Sequence, residues 1–223
     1  MLLTWFPAFP RVEITATSAL PLVGAGMLTA NEVAAAFVIA APLAVSTGFL
    51  LGERLHLAET FNPLVHFILA VPQSIFLPIF ILAFGIGFIE KVLFGITHAY
   101  FVILINSFAA VRSIPRPLVT AARVFGATRA QIYMRIYLPA MLPLILTGLR
   151  LGMIFCIIGV LLAEMYASRR GIGGLIFDWG EGQQIPELLA GIVLISVLTI
   201  AVNEMMRLAE LRFAGFHDTA AAG

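Results

Sequence analysis

Five long stretches of this chain contain almost no charged side chain, and this feature limits the possible fold more than any other. The stretches are 16 to 30 residues long and comprise residues 33–52, 60–89, 92–111, 136–163 and 188–203. A transmembrane helix needs about 20 mostly apolar residues. The first four stretches therefore predict membrane spans, although Arg150 interrupts the fourth. The last predicts a span if Glu204 lies at the membrane interface.

The composition indicates that lipid, not water, surrounds most of the chain. Hydrophobic residues make up 61% and charged residues 11%, whereas a water-soluble domain is nearer one half apolar and one quarter charged. Backbone groups in lipid must be satisfied internally, so the spans are expected to be helices. Strict alternation of apolar and polar residues, which a membrane barrel requires, is absent. The predicted fold class is an all-α, polytopic transmembrane helical bundle.

The start of the chain leaves the number of spans open between five and six. Residues 14–31 are uncharged but rich in Thr, Gly and Ala, and Pro21 interrupts them. They form either a marginal span or a lead-in helix. The predicted organisation is an N-terminal lead-in or marginal span (1–30), a transmembrane domain (31–212) and a short C-terminal tail (213–223).

The placement of arginine predicts the orientation. The segment 112–135 contains five arginines and no acid, whereas the segment 164–187 contains two arginines and four acids. Loops rich in Lys and Arg stay in the cytoplasm, so 112–135 and the C-terminus are predicted to lie inside and 164–187 outside. The stretch 168–186 has too many glycines for one regular helix, so a turn or short re-entrant piece is expected there.

The basic segment itself predicts two short helices around a turn. Pro115 and Pro117 are typical of a helix start, because proline is tolerated in a first turn. Leu118, Ala121, Ala122 and Phe125 recur at the spacing of one helix face.

The turn and the second helix follow directly. Gly126 allows the positive φ of a helix stop. Thr128 and Gln131 have the spacing of a capping box that begins a second helix. Pro139 ends this element and opens the next span.

Two interpretations of this helix-turn-helix remain open on pattern alone. Its small residues would allow another protein to approach closely, so it is one candidate for a docking surface. It is equally typical of an amphipathic loop that lies on lipid headgroups, with its arginines attracted to anionic lipid.

The segment 120–139 resembles the cytoplasmic signature of permease subunits of ABC importers. That signature runs Glu-Ala-Ala, three residues, Gly, nine residues, Ile, one residue, Leu-Pro. The chain places its residues in this register, with Thr120 in place of the acid: Ala121, Ala122, Gly126, Ile136, Leu138 and Pro139. Further segments resemble the nitrate, sulfonate and taurine branch of these permeases: 70–87, 138–153, 163–165 and 171–176.

The resemblance implies a role for the 115–138 loop and a set of partners. The helix-turn-helix would couple transport to a cytoplasmic ABC ATPase dimer. Ala121, Ala122 and Gly126 would shape the docking knob, while Ile136 and Leu138 would root it in the membrane. A second permease subunit, as a homodimer, and an extracytoplasmic solute-binding protein would complete the importer. The expected location is the bacterial cytoplasmic (inner) membrane, and the expected cargo is a small anionic solute.

No ATP-binding sequence is present, so the energy for transport must come from another chain. A phosphate-binding loop needs Gly-Lys followed by Ser or Thr, and the one lysine, Lys91, lies in the sequence IEKVL. We therefore expect a transport subunit rather than an enzyme, with no catalytic residues and no bound cofactor. No His, Asp or Glu cluster has metal-ligand spacing. The net charge of +1 gives no indication of nucleic acid binding.

Three polar residues within the apolar stretches are candidates for the solute pathway. Arg150 would be costly at mid-depth in lipid. It either faces an anionic solute or tethers two helices. Glu164 is expected at the outer interface, where it could rim the entrance. Asn106, with Ser107, could bond across helices.

Several other features of the spans have simpler structural interpretations. His66 and His98 are expected to be hydrogen-bonded core residues, and Cys156 a buried thiol. The spacings Gly148-x-x-x-Gly152 and Gly159-x-x-x-Ala163 predict close helix contact.

Two other functional classes compete with the permease hypothesis. A membrane-embedded enzyme would need clustered catalytic groups near one interface, and neither loop has them. A self-sufficient secondary transporter usually has internal repeats and more spans, and no repeat is visible here.

Overall fold

The chain is described here from a computed structural model. The description covers residues 16–54 and 70–218, with three isolated positions between them (Thr60, Pro63 and Phe67). Within these residues the backbone is helical and contains no strand. Eight helices are numbered in chain order: α1 (Ala16–Glu53), α2 (Leu77–Phe84), α3 (Phe88–Arg112), α4 (Arg116–Val124), α5 (Arg129–Ile132), α6 (Leu138–Ala163), α7 (Gly171–Glu181) and α8 (Ile185–Asp218). The predicted all-α fold class is confirmed.

Three shorter segments extend these helices. A 3₁₀ turn, Gln73–Phe76, leads into α2. A π-helical turn, Tyr133–Tyr137, joins α5 to α6, and a second one, Glu164–Ser168, follows α6. The chain from Arg129 to Ala167 therefore runs as one continuous helical segment.

Four described segments are long and apolar enough to cross a membrane. They are Leu22–Glu53, Phe88–Arg112, Arg129–Ala167 and Ile185–Leu208. They match four of the five charge-free stretches. Of the remaining stretch, the described part contains a shorter apolar helical piece, Gln73–Phe84, and most of residues 60–69 lie outside the description.

The region predicted as a lead-in or marginal span is continuous with the first span. Residues 16–53 form one helix of 38 residues, without the break that two separate spans would need. At the other end of the chain, α8 continues through Asp218. Residues 1–15 and 219–223 lie outside the description.

Small residues hold α1, α3 and α6 together as the centre of the bundle. A side chain added at Gly48 would come 2.7 Å from the carbonyl of Leu104, and one at Gly148 would come 2.5 Å from Asn106 Cβ. Similarly, a side chain at Gly159 would come 2.8 Å from the His98 ring. Both small-residue spacings predicted on α6 are therefore close helix contacts.

The pairing of residues along these contacts fixes the helix directions. Glu32 meets Lys91 and Gly52 meets Val111, so α1 and α3 run parallel. Residues 53 and 88 consequently lie at opposite ends of the bundle. On α6 the order is reversed, since Gly148 meets Asn106 while Gly159 meets His98, so α6 runs antiparallel to α3.

A regular helix, Gly171–Glu181, forms within the glycine-rich stretch after α6, where a turn or short re-entrant piece was expected. Three of its glycines, Gly171, Gly173 and Gly174, leave no room for a side chain. A side chain at Gly173 would come 2.6 Å from the carbonyl of Leu161, and one at Gly191 of α8 would come 2.7 Å from Trp179. Tight approach to neighbouring elements compensates for the low helix propensity of glycine.

Candidate functional site

The two short helices α4 and α5 form the predicted helix-turn-helix, and a Schellman motif closes the turn. The N–H of Ala127 donates to the carbonyl of Ala122 at 3.0 Å, and the N–H of Gly126 donates to the carbonyl of Arg123 at 2.9 Å. Gly126 has φ 79°, the left-handed conformation that this helix stop requires. The predicted glycine stop is confirmed.

A capping box begins the second helix as predicted. The Thr128 N–H donates to Gln131 Oε1 at 2.8 Å, and the Gln131 N–H donates to Thr128 Oγ1 at 3.4 Å. These reciprocal bonds satisfy amide groups that the first turn of a helix leaves free. The π-helical turn then carries the chain into α6 without a break.

An apolar base fixes the helix-turn-helix to the bundle. Val119 of α4, Ile132 of α5 and Met141 of α6 are buried with the end of α3. From α1, Phe49 packs on the rings of Tyr133 and Tyr137, and the Tyr133 hydroxyl donates to the Glu53 carboxylate. The element is therefore anchored to the ends of three long helices.

The tip of the helix-turn-helix is apolar and exposed. The exposed fractions of Val124 and Phe125 are 80% and 90%. Beside them lies a groove of about 470 Å³, bounded by Ala122, Gly126, Ile136 and five neighbouring residues that include Arg135. In an isolated chain such a patch is typical of an interaction site.

The coupling residues that the resemblance implied differ in their exposure. Thr120, Ala121 and Gly126 are exposed, and Ala122 is half-buried against the base. Ile136 is half-buried and packs on the apolar base, consistent with an anchoring role. Leu138 is 51% exposed. Pro139 lies at the start of α6.

The arginines of this segment are exposed and have no acidic partner among the described residues. No described ion pair includes Arg112, Arg116, Arg123, Arg129 or Arg135. Arg112 lies over the Phe108 ring at 6.0 Å. The surface around the exposed tip is therefore positively charged and available to an acidic partner or to anionic headgroups.

Arg150 contacts an acid of another helix, as the tether interpretation expects. Its Nε lies 3.6 Å from Glu210 Oε2, and the Thr147 hydroxyl donates to Glu210 Oε1 at 2.9 Å. Glu210 lies two residues beyond the apolar segment Ile185–Leu208 of α8. The pair therefore lies toward the end of α8, and not near its middle.

Asn106 and Ser107 do not form the cross-helix hydrogen bonds that were predicted. The Asn106 amide donates to the carbonyl of Val102 in its own helix at 2.8 Å. Ser107 is fully buried opposite Gly48, and its hydroxyl has no partner among the described residues. Each of the two side chains faces a glycine of a neighbouring helix, Gly148 for Asn106 and Gly48 for Ser107.

His98 and Cys156 are buried within the helical bundle, as predicted. His98 is buried, packs on the Phe94 ring and has Nδ1 3.0 Å from the carbonyl of Phe94, so its core role is confirmed. His66 lies outside the described residues. Cys156 is buried and free. Within the described part of the chain no group of His, Cys, Asp or Glu is arranged to hold a metal ion.

Glu164 is fully buried in this chain, so its carboxylate is not exposed at an open rim. Its Oε1 accepts a 2.6 Å bond from the Thr29 hydroxyl, and its Oε2 accepts a 2.8 Å bond from the N–H of Gly173. The N–H of Ile172 donates to Thr29 Oγ1 at 3.0 Å. Glu164 thus joins α1 to the first turn of α7.

A buried ion pair lies beside this carboxylate on the same side of the bundle. Lys91 Nζ donates to Glu32 Oε1 at 2.9 Å, and the two side chains are 3% and 5% exposed. We call these four side chains, Thr29, Glu32, Lys91 and Glu164, the polar cluster. The sequence reasoning missed it, because Glu32 and Lys91 were taken as the boundaries of spans. One available signal was that the only lysine of the chain is adjacent to Glu90 within an apolar context.

Comparison with known proteins gives consistent results for most of the chain. The sequence profile of the family described as "Binding-protein-dependent transport system inner membrane component" matches residues 40–214. The putative aliphatic sulfonates transport permease protein SsuC of Bacillus subtilis (strain 168) is 30% identical over 198 residues, which cover 89% of this chain and 72% of that protein.

Two further comparisons extend this result. The taurine transport system permease protein TauC of Escherichia coli (strain K12) is 30% identical over 78% of this chain and 65% of its own length. Among solved structures, an inward facing conformation of the MetNI methionine ABC transporter aligns with a TM-score of 0.72 and 20% identity. The alignment covers 90% of this chain and 99% of that one. At this identity the structural match concerns the fold alone.

Proposed function

We infer the function of this chain from its family, because it belongs to the binding-protein-dependent transport system inner membrane components. It is the membrane-spanning permease subunit of an ATP-driven importer. ATP is hydrolysed by a separate chain, since this sequence has no phosphate-binding loop. The single observation that carries the proposal is the anchored helix-turn-helix with its exposed apolar tip, in the register of the permease signature.

The helix-turn-helix couples the two chains by docking on the ATPase. Phe125 is the natural anchor, because large aromatic side chains in buried pockets dominate many interfaces and it is 90% exposed in this chain. The arginines around it have no acidic partner among the described residues, so they favour an acidic rim on the ATPase and speed association. The apolar base transmits displacement of the tip to α1, α3 and α6.

The solute is a small anion of the sulfonate, taurine or nitrate type. Support comes from relatives whose names specify these solutes, including the nitrate import permease protein NrtB of Leptolyngbya laminosa, which is 26% identical over 79% of this chain. Arg150, Glu164 and Asn106 stay candidates for the pathway. Of the three, only Arg150 is cationic, and its side chain is 27% exposed beside Glu210.

Five spans and a cytoplasmic helix-turn-helix complete the topology. The parallel arrangement of α1 and α3 supports a fifth span within 60–89, since residues 53 and 88 lie at opposite ends of the bundle. The arginine-rich segment 112–135 lies in the cytoplasm. The chain works in the bacterial inner membrane with a second copy of itself, an ABC ATPase dimer and a solute-binding protein.

Replacing Gly126 by leucine is expected to weaken binding of the ATPase encoded beside this gene by about five- to thirtyfold. A left-handed conformation costs a residue such as leucine about 1–2 kcal/mol, and a tenfold change in affinity corresponds to about 1.4 kcal/mol. The leucine therefore destabilises the Schellman turn that presents the tip. The measurement is co-purification in detergent, followed by titration of the ATPase.

Gly126→Asn is the matched control. Asparagine is close to leucine in size but tolerates the left-handed region, and open space surrounds an added side chain at this position. We expect the asparagine variant to bind nearly as well as the parent. ATPase binding and transport at the parent level in Gly126→Leu would show that the coupling assignment is wrong.

Substitution of Arg150 separates its two interpretations. If Arg150 only tethers α6 to Glu210, Arg150→Lys should retain the ion pair and the solute affinity, and Arg150→Ala should lower thermal stability without changing the apparent affinity. If Arg150 contacts the anionic solute, both variants should raise the solute concentration needed for half-maximal transport. The measurement is uptake of taurine, nitrate and an alkanesulfonate by proteoliposomes that contain the complete importer.

A further inference from the structure

Backbone groups in the first turn of helix α7 bond to α1 and to the residue that follows α6. The N–H groups of Ile172 and Gly173, in its first turn, donate to Thr29 Oγ1 and Glu164 Oε2. A side chain at Gly173 would come 3.0 Å from the same carboxylate oxygen and 2.6 Å from the carbonyl of Leu161. The glycine therefore allows the carboxylate to reach the amide. Negative charge at a helix N-terminus is favourable, since unpaired amide groups point toward it.

Left-handed residues bracket α7 on both sides. Arg169 and Gly171 precede or begin the helix with φ 48° and φ 86°, and Gln183 follows it with φ 54°. Non-glycine residues rarely adopt this conformation and persist in it only where the surroundings impose it. The helix thus lies between two points at which the backbone changes direction.

Hydrogen bonding around the polar cluster is incomplete. Both carboxylate oxygens of Glu90 and Oε2 of Glu32 are buried and have no partner among the described residues. Of these acids, Glu32 is paired with Lys91, whereas Glu90 has no hydrogen-bond partner among the described residues. A buried acceptor without a donor costs stability, so a second arrangement that supplies these oxygens with partners or water would compete with the observed one.

We propose that the polar cluster is a latch that holds α7 against α1 and releases it once in each transport cycle. Glu164 and Thr29 are the positioning residues, because they bind the amides of α7 directly. The Glu32–Lys91 pair fixes α1 to α3 at the same level. The release rests on the proposed function, whereas the holding of α7 does not depend on it.

Disulfide formation between residues 26 and 172 tests both parts of the proposal. A side chain added at Gly26 comes 3.6 Å from Ile172 Cδ1, so cysteines at these positions report contact between α1 and α7. The parent for the test carries Gly26→Cys and Ile172→Cys together with Cys156→Ala, which removes the only native cysteine. The full-length protein is oxidised with copper phenanthroline, alone and in complex with its ATPase, and the cross-linked fraction is measured.

If Glu164 holds α7 against α1, its variants should differ in the cross-linked fraction. We expect Glu164→Ala to lower the cross-linked fraction at least fivefold. Glu164→Gln, which keeps an oxygen for Gly173 and an N–H for Thr29, should stay within twofold of the parent. Thr29→Val, of nearly the same volume, should lower the yield at least twofold and serves where Glu164→Ala does not fold. Equal yields in the parent, in Glu164→Ala and in Thr29→Val would overturn the holding role.

If the latch releases α7 during transport, the cross-linked fraction should depend on the nucleotide bound to the ATPase. Trapping the complex with ATP and vanadate should lower the cross-linked fraction at least threefold relative to the nucleotide-free complex. Equal yields in a complex that hydrolyses ATP would show that the latch stays closed, which overturns the release but not the proposed function. Failure of the chain to bind its ATPase would instead overturn the proposed function and, with it, the release of α7. The yields of the Glu164 variants would still decide whether the latch holds α7.

Discussion

Lys91→Met is expected to destabilise the protein by about 3–5 kcal/mol, because it leaves the buried Glu32 carboxylate without its partner. Lys91 and Glu32 are 3% and 5% exposed and 2.9 Å apart, so water cannot replace the lost ammonium. Glu90 and Glu164 lie nearby and would add to the uncompensated negative charge. The free energy of unfolding is measured by titration with a denaturing detergent.

The double variant Glu32→Gln/Lys91→Met distinguishes an unpaired charge from a loss of packing. Replacing both members of a buried ion pair by uncharged residues is often neutral or stabilising. We therefore expect the double variant to recover most of the stability that Lys91→Met loses. A double variant as unstable as Lys91→Met would indicate that the lysine acts through its methylene groups or through contacts with other residues.

Gly152→Ala is expected to destabilise the contact between α3 and α6 by about 1–3 kcal/mol, the usual effect of overpacking a close contact. An added Cβ at Gly152 would overlap the Ile103 side chain and come 2.6 Å from its Cδ1. Ile103 is fully buried, so it cannot turn away without displacing its neighbours. Thermal unfolding in detergent measures the effect.

Gly24→Ala is the matched control, since it makes the same chemical change on a helix where nothing lies within 4 Å of the added atom. Alanine has the higher helix propensity by about 1 kcal/mol, so this variant should be as stable as the parent or more so. If both alanine variants unfold at the parent temperature, the close approach of α3 and α6 does not depend on glycine.

The helix-turn-helix was predictable almost residue by residue, because local chemistry determines it. A positive φ at Gly126 and the reciprocal bonds of Thr128 and Gln131 depend on neighbours within five positions. The apolar spans were predictable for a related reason, since span length follows from the thickness of the membrane. The direction in which the apolar face of α4 points was not predictable: Val119 is buried, whereas Leu118 and Phe125 are exposed.

The polar cluster was not predictable in the same way, because it depends on contacts far apart in the chain. Thr29 meets Glu164 across 135 positions, and Lys91 meets Glu32 across 59. A charged residue within an apolar sequence normally marks the end of a span, and only the fold shows that these two charges neutralise each other. Similarly, the glycine content of 168–186 argued against one regular helix, because sequence alone cannot show which glycines are required by packing.

The uninterrupted course of α1 links the two ends of the molecule mechanically. Its last turn contacts Tyr133 at the base of the helix-turn-helix, and Thr29 lies 24 residues earlier, about 36 Å away at the rise of an α-helix. A tilt of about 5° at the base would move Thr29 by about 3 Å, which exceeds the 2.6 Å length of its bond to Glu164. Such a rod acts as a lever, so a small rotation at one end is amplified into a displacement of hydrogen-bonded groups at the other.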